Sequence, residues 1–106
     1  MNENITNFLA SGIEITGTIR FQNDMNIDGK ITGEIISDSG RVTIGEMADI
    51  KGDITAGDVR IYGHVEGKIS SDRCELKKQA VLVGDVTTRT LAMEEGAQLR
   101  GRTEIG

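Results

Sequence analysis

Apolar and polar residues alternate with a period of two through Ala80-Val81-Leu82-Val83-Gly84-Asp85-Val86, which reads small, x, apolar, x, Gly, x, apolar. Such alternation puts every second side chain on one side of a β-strand. The same word, with small variations, occurs six times, beginning at Ile13, Gly29, Ala48, Gly63, Ala80 and Ala97. A shorter word, apolar-x-apolar, follows each of the first five: Met25-Asn-Ile27, Val42-Thr-Ile44, Val59-Arg-Ile61, Cys74-Glu-Leu76 and Leu91-Ala-Met93. Each repeat therefore predicts two strands. Successive copies begin 15 to 19 residues apart, and the longest interval carries an enlarged corner, Ile36-Ser-Asp-Ser-Gly-Arg41. Insertions are tolerated at corners, whereas an insertion within a strand would turn every later side chain to the wrong face.

A repeat of this length, without hairpin dipeptides or helical periodicity, predicts a β-solenoid. At ~3.3 Å per residue, about 17 residues close a coil of roughly 56 Å, which three faces of ~19 Å would turn into a solid-cored triangle. The expected fold is all-β: a single-domain triangular parallel β-helix of about six rungs, right-handed by the general preference of parallel crossovers. The central glycine of the long word keeps inward parity, so it either leaves room for another face or lets the strand bend. Stacking also defines outward columns. One runs Thr16, Thr32, Lys51, Glu66, Val83, Arg100; another runs Thr18, Glu34, Asp53, Lys68, Asp85, Arg102. Opposite charges adjoin at Lys51 with Glu66, at Asp53 with Lys68, and at Lys68 with Asp85, which supports the register. Val81 and Val83 are apolar at outward positions and read either as ordinary surface or as a lateral contact with a neighbouring filament or partner.

Composition agrees with an elongated array. Only 37% of the 106 residues are hydrophobic, there is no proline, and Phe8, Phe21 and Tyr62 are the only aromatics. A formal charge of −5 argues against a nucleic-acid partner, which would need clustered Lys and Arg. The single cysteine, Cys74, occupies an inward slot equivalent to Val42 and Val59, excludes an internal disulfide and fits a reducing compartment. With no leader before the repeats and no apolar run long enough to span a bilayer, the expected location is cytoplasmic, or cytoplasmic at a membrane surface. Residues 1–12 form a tail outside the array of residues 13–106. Ile5, Phe8 and Leu9 have the spacing of one face of a short helix, which would either cover the open end of the array or act as a membrane foot.

Catalytic chemistry is not expected. His64, the only histidine, lies at an outward position with no matched Asp or Cys on its face and reads as a surface residue. Triangular solenoids also build hexapeptide-repeat acyltransferases, and such an enzyme or a small binding module is the alternative function. Their aliphatics recur every six residues beside a small neighbour, whereas here the glycine sits two positions away. Gly63-His-Val-Glu-Gly67-Lys68-Ile69 fails as a nucleotide-binding loop in its glycine spacing, in Ile69 where Ser or Thr would hold magnesium, and in having no following helix. No cofactor or metal is expected.

Gly12-Ile-Glu-Ile-Thr-Gly-Thr-Ile-Arg-Phe21, Met25-Asn-Ile-Asp-Gly-Lys-Ile-Thr-Gly-Glu-Ile35 and Leu76-Lys-Lys-Gln-Ala-Val-Leu-Val-Gly-Asp-Val86 together resemble the bactofilins, and Glu94-Glu-Gly-Ala97 extends the likeness into the last copy. The resemblance implies a right-handed triangular β-helix that polymerises without nucleotide into non-polar filaments through its rod ends. It also implies membrane binding through the N-terminal tail and the positioning of cell-wall or morphogenesis proteins. The proline-rich flanks of many members are absent. Within this chain the end contacts fall on Ile13 and Ile15 in the first rung and on Leu99, Thr103 and Ile105 in the last. Inward parity continues there with no polar cap to cover it, so a self-complementary contact between copies is expected.

Overall fold

The computed structural model describes residues 6–106, and all ten of its strands run parallel in one continuous coiled sheet. They are β1 (Thr6–Leu9), β2 (Glu14–Arg20), β3 (Asp24–Ile27), β4 (Lys30–Ile36), β5 (Arg41–Ile44), β6 (Asp49–Ile61), β7 (His64–Leu76), β8 (Val81–Met93), β9 (Gln98–Arg100) and β10 (Thr103–Ile105). The chain forms a parallel β-solenoid of about six turns with no helix among the described residues. Each coil has three straight segments: the start of the long word, its end, and the short word.

In the third, fourth and fifth coils the two predicted strands fuse into one of 13 residues. The cause is the corner between long and short words. Where Ala56-Gly57 turns it tightly, ladder hydrogen bonds continue around the bend. Where residues 37–40 bulge between β4 and β5, the strand breaks, with Ser37 Oγ accepting a hydrogen bond from the Gly40 amide at 2.9 Å.

The register is that of the repeated words. On the first segment Ile15, Ile31, Ile50, Val65, Leu82 and Leu99 form one column, and on the second Ile19, Ile35, Ile54, Ile69, Val86 and Thr103 form another. The third segment stacks Leu9, Ile27, Ile44, Ile61, Leu76 and Met93, beside Met25, Val42, Val59, Cys74 and Leu91. The inner members of these columns are almost wholly shielded from water. Full burial stabilises by roughly 1.5–3 kcal/mol per side chain, so neighbouring coils are held mainly by like stacked on like.

Between the first two segments, Gly17, Gly33, Gly52, Gly67, Gly84 and Gly101 are stacked in a column with φ from 125° to 144°. The bend, rather than room for another face, is why glycine is there. A Cβ on Gly52 would fall on the carbonyl oxygen of Gly33, and the same clash recurs up the column through Gly67, Gly84 and Gly101. Backbone strain and packing both disfavour any other residue from Gly33 to Gly101, and backbone strain alone does so at Gly17.

The ion pairs that close lie on a different face from those expected. The register does set Lys51 opposite Glu66 and Lys68 opposite Asp85. The closed pairs, however, cluster on the third segment, where the outward column Asp24, Arg41, Asp58, Arg73 alternates in sign and Arg41 Nε reaches Asp58 Oδ2 at 3.5 Å. Glu75 sits amid three cations: Lys77 Nζ donates to its Oε2 at 3.0 Å, and Arg60 and Arg73 each approach Oε1 at 3.8 Å. The Lys77 hydrogen bond is the main cause that holds the Glu75 carboxyl below its ordinary value of 4.5, helped by the charges of Lys77, Arg60 and Arg73 and opposed by desolvation.

Two predictions follow from this packing. Val65→Asp places an unpaired carboxylate in the first column at a cost on the order of several kcal/mol, while Glu66→Lys, one residue on, faces solvent. Thermal melts should show Val65→Asp unfolded or lowered by tens of degrees and Glu66→Lys close to the parent; equal midpoints would refute the inward parity. The Glu75 interaction is present above the carboxyl's unfolded value and is lost as pH falls through the lower folded value. Glu75→Gln should therefore melt below the parent at neutral pH, with the gap closing in acid, and a gap that widened on acidification would contradict the assignment.

Candidate functional site

No enclosed polar site is found among the described residues, nor any group of His, Cys, Asp and Glu arranged to hold a metal ion. Strand pairing is incomplete at the two ends of the solenoid. Among the described residues, β1 pairs only with β3 and β2 only with β4, while β9 and β10 pair only with β8. Each terminal coil therefore presents one unpaired strand edge beside the ends of the aliphatic columns. Such edges template the addition of another chain.

At the N-terminal end, Ile13 is 44% exposed and Ile15, at the foot of the first column, is half-buried. At the other end, Leu99 is half-buried over Leu82, Thr103 is exposed above Val86, and Ile105 stands 59% exposed over Thr88. All five predicted end residues thus lie on terminal coils. Leu91 and Met93 complete the C-terminal end and escaped the sequence reading: Leu91 stacks on Cys74, and Met93 stacks on Leu76 with 45% of its surface exposed. The signal was a mismatch in the words. Six long words are followed by only five short ones, so the fifth short word tops the third segment.

The missing short word lies at the other end, and it corrects the reading of the tail. Residues 6–9 are not one face of a helix but β1, paired residue for residue with Asp24–Ile27. The array thus already includes residues assigned to the tail of residues 1–12. Pairing along the full strand overrides a helical spacing carried by a few side chains. As consecutive strand residues, Phe8 and Leu9 then point to opposite sides: Leu9 is buried at the foot of its column, and Phe8 is 63% exposed. Leu9 is therefore a core residue rather than part of a membrane foot. Ile5 lies outside the described residues.

Val81 and Val83 occupy adjacent outward positions on the first segment, half-buried between His64 and Gln98 and between Glu66 and Arg100, respectively. His64 has the acidic neighbour that the sequence reading denied it: its Nδ1 lies 3.2 Å from Asp49 Oδ1, one coil away. Both side chains remain well exposed. Cys74 is a core residue. Burial, with smaller contributions from Asp58 and Glu75, pushes its thiol up to about 12, which keeps it protonated and inert.

Among the described residues, open strand edges beside apolar surface at both coil ends are the feature suited to adding further coils. Comparison with known proteins agrees: the family model Bactofilin, described as "Polymer-forming cytoskeletal", matches residues 7–104. This chain belongs to the bactofilin family. It is 31% identical to bactofilin BacO of Myxococcus xanthus over 92% of this chain and 77% of that protein. Bactofilin BacP of the same organism is 24% identical over 99% of this chain, which spans 44% of BacP. Among solved structures, the Thermus thermophilus bactofilin in double helical filaments superposes with a TM-score of 0.90 at 25% identity, covering 94% of this chain and 99% of that one. Cytoskeletal bactofilin BacA, solved by solid-state NMR, gives 0.86 at 31% identity, covering 94% and 95%. Family and fold are those of structural proteins, so the acyltransferase alternative falls.

Proposed function

We propose that this chain assembles end to end, without nucleotide, into filaments held at the cytoplasmic face of a membrane, where they scaffold cell-shape or cell-wall machinery. The observation that carries the assembly mode is the C-terminal coil, where Met93, Leu99 and Ile105 expose apolar surface beside strand edges that no described residue pairs. Docking this face on its own counterpart buries that surface and pairs the edges in a two-fold contact. Stacking of this kind needs no bond hydrolysis. A second contact of the same kind through Ile13 and Ile15 extends the pair into a polymer. The double helical form of the Thermus filaments also suggests a lateral contact, for which Val81 and Val83 are the candidate patch.

Membrane attachment is assigned to the N-terminal segment through Ile5 and Phe8. Burying Phe8 is worth roughly 1.5–3 kcal/mol, too little to hold one subunit. Many copies along a filament multiply weak attachments into firm binding.

Ile105→Arg tests the assembly mode, because it sets like charges against each other across a two-fold junction and desolvates them. The variant should retain its β circular dichroism but sediment as small species where the parent forms filaments in nucleotide-free buffer. Filaments of parental length would remove the C-terminal coil from the mechanism. For the membrane, Phe8→Ser should polymerise normally and lose most of its co-sedimentation with anionic liposomes. Unchanged pelleting would locate the attachment elsewhere.

A further inference from the structure

The open C-terminal coil carries a group whose chemistry differs from that of the other column ends. Met93 continues the third-segment column above Leu76, yet 45% of its surface is open to solvent. Met25, lower in the array, is buried at 7%. Met47 is 72% exposed but sits on the turn before β6, away from either terminal coil. Met93 is thus the one described thioether that is both open to reagents and aligned with the core of the proposed junction.

We propose that Met93 is an oxidative modification site through which peroxides control assembly. The proposal rests on the end-to-end reading above. A sulfur lone pair of Met93 attacks one oxygen of hydrogen peroxide; the O–O bond breaks as the S–O bond forms, and the leaving hydroxide takes the proton of the sulfur-bound hydroxyl, giving the sulfoxide and water. Sulfur loses two electrons and the peroxide gains them. The product sulfoxide is polar and chiral, and thiol-dependent reductases return it to the thioether. In a free subunit the sulfoxide oxygen is hydrated at no cost to the fold. In a junction built on Leu91, Leu99 and Ile105 it loses that water without gaining a donor. Leaving a buried acceptor unpaired weakens assembly by roughly fivefold to 150-fold. Linkage makes the effect reciprocal: a junction that excludes water also shields the sulfur. Oxidation then acts on filament ends and unassembled subunits, stopping growth rather than dissolving polymer.

The test oxidises the full-length protein as dilute, unassembled subunits with hydrogen peroxide, quenches it, and compares polymer by sedimentation and electron microscopy. Peptide mass spectrometry reads the sulfoxide at Met93 and Met47 separately. Parent and Met47→Leu should lose pelletable polymer in proportion to Met93 sulfoxide, roughly tenfold at completion. Met93→Leu should assemble after the same treatment, and Met93→Gln should assemble poorly without any. In preformed filaments Met47 should oxidise at its free-subunit rate and Met93 several-fold more slowly. Full Met93 sulfoxide with undiminished polymer, or equal loss in Met93→Leu, would overturn the proposal while leaving end-to-end assembly standing. Failure of the untreated parent to polymerise would overturn both.

Discussion

Each inner coil of this protein is held in place by the stacked aliphatics and strand hydrogen bonds it shares with the coils on either side, and that sharing works only if equivalent residues stack. The glycine column enforces the condition. With φ near 140° and a neighbouring glycine carbonyl occupying the space of any Cβ, a coil displaced by one residue would bring a side chain into the corner and turn its aliphatics outward. Corner geometry and hydrophobic register thus select the same alignment, which is how a chain of thin hydrophobic content reaches a single structure. The remaining variation is displaced to where it does no harm, as in the bulge at residues 37–40.

The same dependence makes the ends reactive. An inner coil has partners above and below, whereas a terminal coil has one, and its aliphatics remain half-covered. What binds coil to coil inside the subunit is therefore also what is left unused at its two ends. Membership of a polymer-forming family accords with that surplus. In the proposed end-to-end assembly, folding and polymerisation draw on one interaction, applied first within a chain and then between chains.

Much of this was legible from the residues because a period-two pattern, repeated in register, states both the parity of each strand and the partner it stacks on. The columns through Ile50 and Val65 needed no more than that. What was hidden depended on context outside the pattern. Thr6–Leu9 lacks the long word that would mark it as part of the array, so a local spacing was read as helical. The charges of Lys51 and Glu66 were placed correctly but do not close, since adjacency on a sheet leaves long side chains free to prefer water. His64 and Asp49 meet because the shortest repeat interval still stacks the two long words in step, a pairing visible only once the outward columns are extended to every position.

The equivalence of the coils also bears on how such a protein can change over generations. An in-frame duplication of one repeat would add a coil whose neighbours on both sides already fit it, lengthening the rod by ~4.8 Å while leaving both terminal surfaces as they were. Subunit length and the chemistry of the joints are thus separately heritable. Under the proposed end-to-end assembly, a lineage can change subunit length without re-evolving the contacts at either end.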